Sequence, residues 1–126
     1  MAGTADLSAL SVLVVDNQFL LADDVRRVLE LAGAKVLGPC RDEEAALALL
    51  EVLAPDCAVL DPNLGGGPTF EIAGALKAKG VPFVFLTGYD DDMIPAEFAG
   101  SACLRKPVDY RRLIAAVARA SSSERV

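Results

Sequence analysis

Histidine and tryptophan are absent from this 126-residue sequence, and aromatic residues make up only 6% of it. Without histidine, the chain has no Ser-His-Asp triad, no histidine metal ligand and no imidazole for acid-base catalysis. Any chemistry must therefore depend on carboxylates, hydroxyls and lysines. The low aromatic content, together with 53% hydrophobic residues, favours helices packed on a Val-rich sheet over an all-β sandwich.

Cysteines are few and widely spaced, at Cys40, Cys57 and Cys103. An odd number of thiols without a C-x-x-C pair predicts neither a disulfide framework nor a zinc site, and it favours a reducing cytoplasm. The sequence also lacks the basic start of a signal peptide and any apolar run near the roughly 18 residues that span a bilayer. We therefore expect a soluble, cytoplasmic protein.

Basic residues are outnumbered, with 12 Lys and Arg against 18 Asp and Glu, which gives a formal net charge of −6. No cluster of basic residues is longer than a pair, which argues against binding to nucleic acid or to an anionic membrane. We expect the partners to be proteins or cations. The length suits a single domain over 1–126, with a body of about 11–120 and tails at 1–10 and 121–126.

Short apolar segments alternate with segments of helical periodicity along the whole chain. The predicted strands are 11–15, 34–37, 57–60, 82–86 and 102–104. The predicted helices are 18–32, 42–54, 69–79, 90–100 and the segment after Asp109, which is expected to fray at Ser121. Pro95 and Gly100 predict that the fourth helix is short or mobile. This alternation indicates βαβ units and a parallel sheet covered on both faces.

A polar residue follows each of four predicted strands. These residues are Asp16 and Asn17, Asp61, Thr87, and Lys106 with Pro107. Because ligands of such sheets bind beyond the carboxyl ends of the strands, we expect these side chains to meet at one edge. Carboxylates for a hard cation, a hydroxyl and a lysine for an anion are the parts of a phosphoryl-transfer site.

On these residues, the sequence resembles the CheY-like receiver domains of two-component response regulators, over about 12–120. The segment 82–89, PFVFLTGY, is most similar to the FATGUY subgroup, although Leu86 replaces the usual alanine. The resemblance implies an α/β, doubly wound sheet of order 2-1-3-4-5, as in flavodoxin and CheY. It also implies a switch that accepts a phosphoryl group from a histidine kinase or phosphotransfer protein and changes protein binding.

The resemblance assigns the acceptor and the metal ligands residue by residue. Asp61 would be the phosphoacceptor, and a carboxylate oxygen is chemically able to attack phosphorus in line. Asp16, Asp61 and the backbone carbonyl of Asn63 would hold Mg²⁺. Taken alone, Asp61 is also compatible with a helix cap, and Asn63 with an ordinary turn residue.

The same resemblance assigns the residues that read the phosphoryl group. Lys106 would pair with its oxygens, and the peptide bond between Lys106 and Pro107 would be cis. Thr87 would hydrogen-bond a phosphoryl oxygen and draw its loop inward. Tyr89 would report this switch, or else be an ordinary half-buried loop aromatic.

Three positions depart from the family pattern. Asn17 stands where the family usually has a second acidic residue, so Mg²⁺ should bind weakly or through an indirect contact, and the requirement for it stays open. Asn17 is also a candidate cap of the first helix. Cys103 replaces the aromatic residue of many receivers, and Gly65 replaces a proline, which predicts a mobile loop after the acceptor.

Two other functions compete with the switch. A degenerate receiver would bind partners without phosphorylation, as Asn17 suggests, whereas a haloacid-dehalogenase-like phosphatase would need an aspartate where Asn63 stands. We therefore expect no enzyme activity beyond self-catalysed phosphotransfer and dephosphorylation. The face formed by 90–120 is the expected surface for a downstream protein, and a homodimer is compatible with it.

Overall fold

The structure is a computed structural model that describes residues 7–61, 70–87 and 102–124. Nine elements follow one another in these residues. They are β1 (Ser11–Val15), α1 (Phe19–Leu31), β2 (Lys35–Cys40), α2 (Glu43–Val52), β3 (Cys57–Leu60), α3 (Phe70–Ala78), β4 (Phe83–Thr87), β5 (Ala102–Arg105) and α4 (Tyr110–Glu124).

The five strands form one parallel sheet in the order β2-β1-β3-β4-β5, which confirms the predicted topology. The register pairs Val15 with Leu60 and Thr87 with Arg105 at the carboxyl ends of the strands. The residues that follow these positions therefore leave the sheet at the same edge. This is the edge at which the chemistry was expected.

Side chains alternate along the strands, and each face of the sheet has its own core. One core combines Val12, Val14, Val59, Val84 and Leu86 of the sheet with residues of α1 and α4. The other combines Leu13, Val15, Ala58, Leu60 and Phe85 with residues of α2 and α3. Since both faces are covered, the strands are continuous hydrophobic runs without a polar alternation.

Two predicted caps are present at helix starts. The carboxylate of Asp42 accepts a hydrogen bond from the backbone N of Ala45 at 2.8 Å. The carboxylate of Asp109 accepts one from the backbone N of Arg111 at 3.0 Å. Gly33 ends α1 with φ +107°, and a Cβ there would lie 2.7 Å from the Ser8 hydroxyl oxygen, so only glycine fits.

β2 is longer than predicted, because it runs through Gly38 and Pro39 to Cys40 and does not stop at Leu37. β2 lies at the edge of the sheet and pairs only with β1 among the described strands. A proline, which has no N–H to donate, is tolerated in such an edge strand. The pairing with β1 shifts between Leu13 and Val15, which absorbs the irregular segment. Gly38 and Pro39 therefore mark an irregularity within β2 and not its end.

The ends of the body also differ from the prediction. Leu7 and Leu10 belong to the core, so the prediction of a tail over 1–10 is wrong for these residues. α4 continues to Glu124 and does not fray at Ser121, whose side chain is buried.

The predicted loop at 62–68 and the weak helix at 90–100 lie outside the described residues. Within the described ranges, no helix is long and apolar enough to cross a bilayer.

We expect Cys57 to resist alkylation in the folded protein. Burial at the start of β3 raises the pKa of its thiol to about 12, so at pH 8 its thiolate fraction falls roughly a thousandfold below that of an ordinary cysteine. Iodoacetamide labelling followed by peptide mass spectrometry should modify half-buried Cys103 first and Cys57 only after denaturation. Equal labelling of both thiols in the native state would contradict this burial.

Candidate functional site

Asp16 and Asp61 lie side by side because they follow neighbouring strands. The backbone N of Asp61 donates to the carbonyl of Val15 at 2.9 Å, which continues the β1–β3 ladder by one residue. Asp16 is 4% exposed and Asp61 is 6% exposed. Although a loop residue at the end of a strand would ordinarily face solvent, both carboxylates are buried at the end of the sheet.

Lys106 follows the edge strand β5, and its side chain extends to both carboxylates. Its backbone N donates to the carbonyl of Thr87 at 2.8 Å, which holds it directly after β5. Its Nζ lies 3.0 Å from Asp61 Oδ2 and 3.2 Å from Asp16 Oδ2. The Lys106–Pro107 peptide bond is cis, as predicted. The structure therefore joins three of the predicted site residues in one cluster.

Thr87 is the last residue of β4 and is 2% exposed. β4 lies between β3 and β5, so Thr87 stands at the same sheet edge as Asp61 and Lys106. The structure therefore places Thr87 at the predicted edge of the sheet, and its role there stays a prediction.

The charges of the cluster do not balance, because two carboxylates face one ammonium group. Burial is the main cause that raises the pKa of Asp16, and the negative charge of Asp61 acts in the same direction. A hydrogen bond from the backbone N of Gln18 and the charge of Lys106 oppose this rise. The site therefore holds an excess negative charge that is costly to bury and that a cation would relieve.

Gln18 also belongs to the cluster, although it is not among the site residues predicted from the sequence. Its side-chain oxygen Oε1 accepts a hydrogen bond from Lys106 Nζ, and its backbone N donates to Asp16 Oδ1 at 2.9 Å. The available signal was its place in the β1–α1 loop, directly after Asp16 and Asn17. A polar side chain at the start of a helix is so common that it carries little information by itself.

The carboxylates suit a hard divalent cation such as Mg²⁺. Asp16 Oδ2 is buried and has no hydrogen-bond partner, although it lies near the Lys106 ammonium. A buried carboxylate oxygen with an unused lone pair is a natural ligand for such an ion. However, the described residues contain no group of three or more His, Cys, Asp or Glu that would hold a metal. The described part of the chain thus offers two carboxylate ligands.

The remaining predicted residues have different outcomes. Asn17 is exposed, and the N-cap position of α1 is occupied by Gln18 and not by Asn17. Cys103 lies half-buried on β5. Asn63 and Tyr89 lie outside the described residues, so their roles stay predictions.

We expect Asp16→Asn to stabilise the metal-free protein. The amide oxygen still accepts from the Gln18 backbone, while the excess charge disappears and Lys106 keeps Asp61 as its partner. Since folding raises the pKa of Asp16, its ionisation costs stability at pH 7. This cost declines as the pH falls through the raised pKa, and it is gone below the ordinary pKa of aspartate. Thermal unfolding in chelator should show a gain on the order of 1 kcal/mol, or roughly 4 °C. A lower melting temperature at pH 7 would show that the carboxylate is well compensated.

Comparisons with known proteins agree with this geometry. The family model of the response regulator receiver domain matches residues 12–118. The sensory transduction protein LytT of Bacillus cereus is 35% identical over 109 residues, which cover 83% of this chain and 44% of LytT. The positive alginate biosynthesis regulatory protein of Pseudomonas aeruginosa is 31% identical, with 93% of this chain and 49% of that protein covered. The chain thus spans about half the length of these curated relatives.

A solved structure extends the likeness to the fold. The signal receiver domain of a modulated diguanylate cyclase from Desulfovibrio desulfuricans G20 is 30% identical, with a TM-score of 0.82 over 92% of this chain and 96% of that one. The family model matches most of the chain, the sheet has the expected strand order, and the acidic cluster lies at the expected edge. These observations agree on one family. The chain belongs to the family of response regulator receiver domains.

Proposed function

We propose that this receiver domain accepts a phosphoryl group on Asp61. The observation that carries the proposal is the cluster at the sheet edge, where the buried Asp61 carboxylate lies 3.0 Å from Lys106 Nζ and shares that ammonium with Asp16. A carboxylate oxygen of Asp61 attacks the phosphorus of a phosphohistidine. The P–N bond breaks, its electron pair stays on the imidazole nitrogen, and an acyl phosphate forms.

The other residues of the edge respond to the new charge. Lys106 pairs with the phosphoryl oxygens as a cationic anchor, since it already lies beside the acceptor. The hydroxyl of Thr87 donates a hydrogen bond to a phosphoryl oxygen and draws the chain after β4 toward the site. Tyr89, two residues further, is the proposed reporter of this movement.

Mg²⁺ is the cofactor that we propose for this site, with Asp16, Asp61 and the Asn63 carbonyl as ligands. When bound, such an ion neutralises charge between the carboxylates and the phosphoryl oxygens. The Oδ2 of Asp16, which is buried and accepts no hydrogen bond beside its ion pair with Lys106, supports this ligand set. Asn17 contributes weakly or through an indirect contact.

The partners and the subgroup are part of the same proposal. A histidine kinase or phosphotransfer protein supplies the phosphoryl group, and a downstream protein reads the face formed by 90–120. The β4 segment from Phe83 to Thr87 supports the FATGUY subgroup, and a single receiver domain over 1–126 is the proposed organisation. The only chemistry we propose is self-catalysed phosphotransfer and dephosphorylation.

Incubation with acetyl phosphate and Mg²⁺ should add one phosphoryl group to the protein, measured by intact mass. Asp61→Asn should abolish this addition, because the amide cannot form an acyl phosphate. The exposed Asp24→Asn on α1 is the matched control, and it should be labelled as fully as the wild type. Full labelling of Asp61→Asn, or none of the wild type, would refute the assignment.

The degenerate receiver is the competing function, and the neutral Asn17 favours it. Asn17→Asp restores an acidic residue beside Asp16 and should bind Mg²⁺ at least about tenfold more tightly, because a unit charge about 4 Å from a dication contributes several kcal/mol before desolvation. Isothermal titration measures this change. An unchanged affinity would show that residue 17 does not face the metal.

A further inference from the structure

The side chain of Gln18 contacts the site without serving the helix that it begins. Gln18 is the N-cap of α1, yet its side chain makes no capping hydrogen bond. Its Oε1 instead accepts from the Nζ of Lys106, which is 88 residues away in the sequence. An exposed glutamine loses conformational entropy when it is held in this way, so the contact needs a compensating gain.

The backbone of Gln18 has separate duties that do not depend on its side chain. Its N–H donates to Asp16 Oδ1 at 2.9 Å, and its carbonyl accepts from the backbone N of Ala22 at 2.8 Å. A substitution at this exposed position therefore changes the contact with Lys106 and leaves the carboxylate of Asp16 and the start of α1 in place. The two duties are experimentally separable.

Among the described residues, three oxygens lie next to the Lys106 ammonium, which has three protons. Asp61 Oδ2 at 3.0 Å and the amide oxygen of exposed Gln18 accept hydrogen bonds from it, and the buried Asp16 Oδ2 forms an ion pair with it at 3.2 Å. The carboxylates attract the ammonium by charge. The neutral amide adds no charge and acts only by fixing the position of the ammonium.

We propose that Gln18 is a positioning residue that holds the Lys106 ammonium against Asp16 and Asp61 in the unphosphorylated protein, so that the ammonium would compete with Mg²⁺ for the same two carboxylates. The inference rests on the metal site of the proposed function, and it adds a residue that regulates the Mg²⁺ affinity of that site. A dication and an ammonium group repel each other when they share ligands. Each contact that fixes the ammonium therefore weakens binding of the metal.

Gln18→Met tests this competition, because methionine has a similar length and helix propensity but no amide oxygen. The full chain is titrated with Mg²⁺ by NMR, and the variant should bind about threefold more tightly, as expected for loss of one exposed, charge-assisted hydrogen bond. Leu20→Met is the control, since Leu20 is 78% exposed on the same turn and should leave the affinity unchanged. An equal affinity of wild type and Gln18→Met, or no Mg²⁺ binding by the wild type, would overturn the inference.

A second background shows whether Gln18 acts through Lys106. In Lys106→Met, the further change Gln18→Met should leave Mg²⁺ affinity unchanged, because there is no ammonium to position. The same threefold gain in both backgrounds would overturn the inference. Lys106→Gln provides the background if Lys106→Met fails to fold. A direct readout is proton exchange of the Lys106 ammonium in ¹H–¹⁵N spectra, which should become faster in Gln18→Met, and an unchanged rate would contradict the contact.

The outcome is separable from that of the proposed function. The wild type tests the phosphoacceptor, since acetyl phosphate should add one phosphoryl group to it. Labelling of the wild type together with an unchanged Mg²⁺ affinity in Gln18→Met would overturn the role of Gln18 and leave the phosphoacceptor in place. Absence of labelling in the wild type would refute the phosphoacceptor, whatever the titration of Gln18→Met shows.

Discussion

The ammonium group of Lys106 between the carboxylates of Asp16 and Asp61 is the contact on which the site depends. Lys106 is 14% exposed in its side chain, and the carboxylates are less exposed still, so water screens these charges poorly. Removing the ammonium would leave two neighbouring buried anions, which is among the costliest arrangements in a protein. The lysine therefore offsets part of the negative charge that the two carboxylates bring to this edge of the sheet.

The sheet order brings these groups together from distant parts of the sequence. Lys106 and Asp61 are 45 residues apart, and the hydrogen-bonded ladder fixes each of them relative to its neighbouring strand. Val15 pairs with Leu60, so the residues after them, Asp16 and Asp61, emerge together. A one-residue slip of this register would turn one carboxylate to the other face of the sheet. The hydrophobic packing on both faces thus also determines the geometry of the charges.

The sequence predicted the local features well, because they depend on local chemistry. The apolar runs marked β1 and β3 to the residue, and Asp42 and Asp109 act as the caps that their types suggest. The extent of β2 was missed, since only its edge position makes Pro39 tolerable there. Gln18 and the burial of Asp61 were also missed, because both depend on which strands and loops are neighbours, and no local pattern records that.

The excess of negative charge in the site favours binding of a cation. Were the two carboxylates matched by two fixed cations, the cluster would be stable, but it would have little affinity for a metal ion and no need of one. With one ammonium for two carboxylates, the folded protein keeps an Asp16 oxygen that accepts no hydrogen bond and a raised pKa at the same residue. A cation bound there would restore the stability that the fold gives up, so occupation of the site and stability of the sheet edge would be coupled. A domain of this kind is thus prepared to respond to a change of charge at that edge.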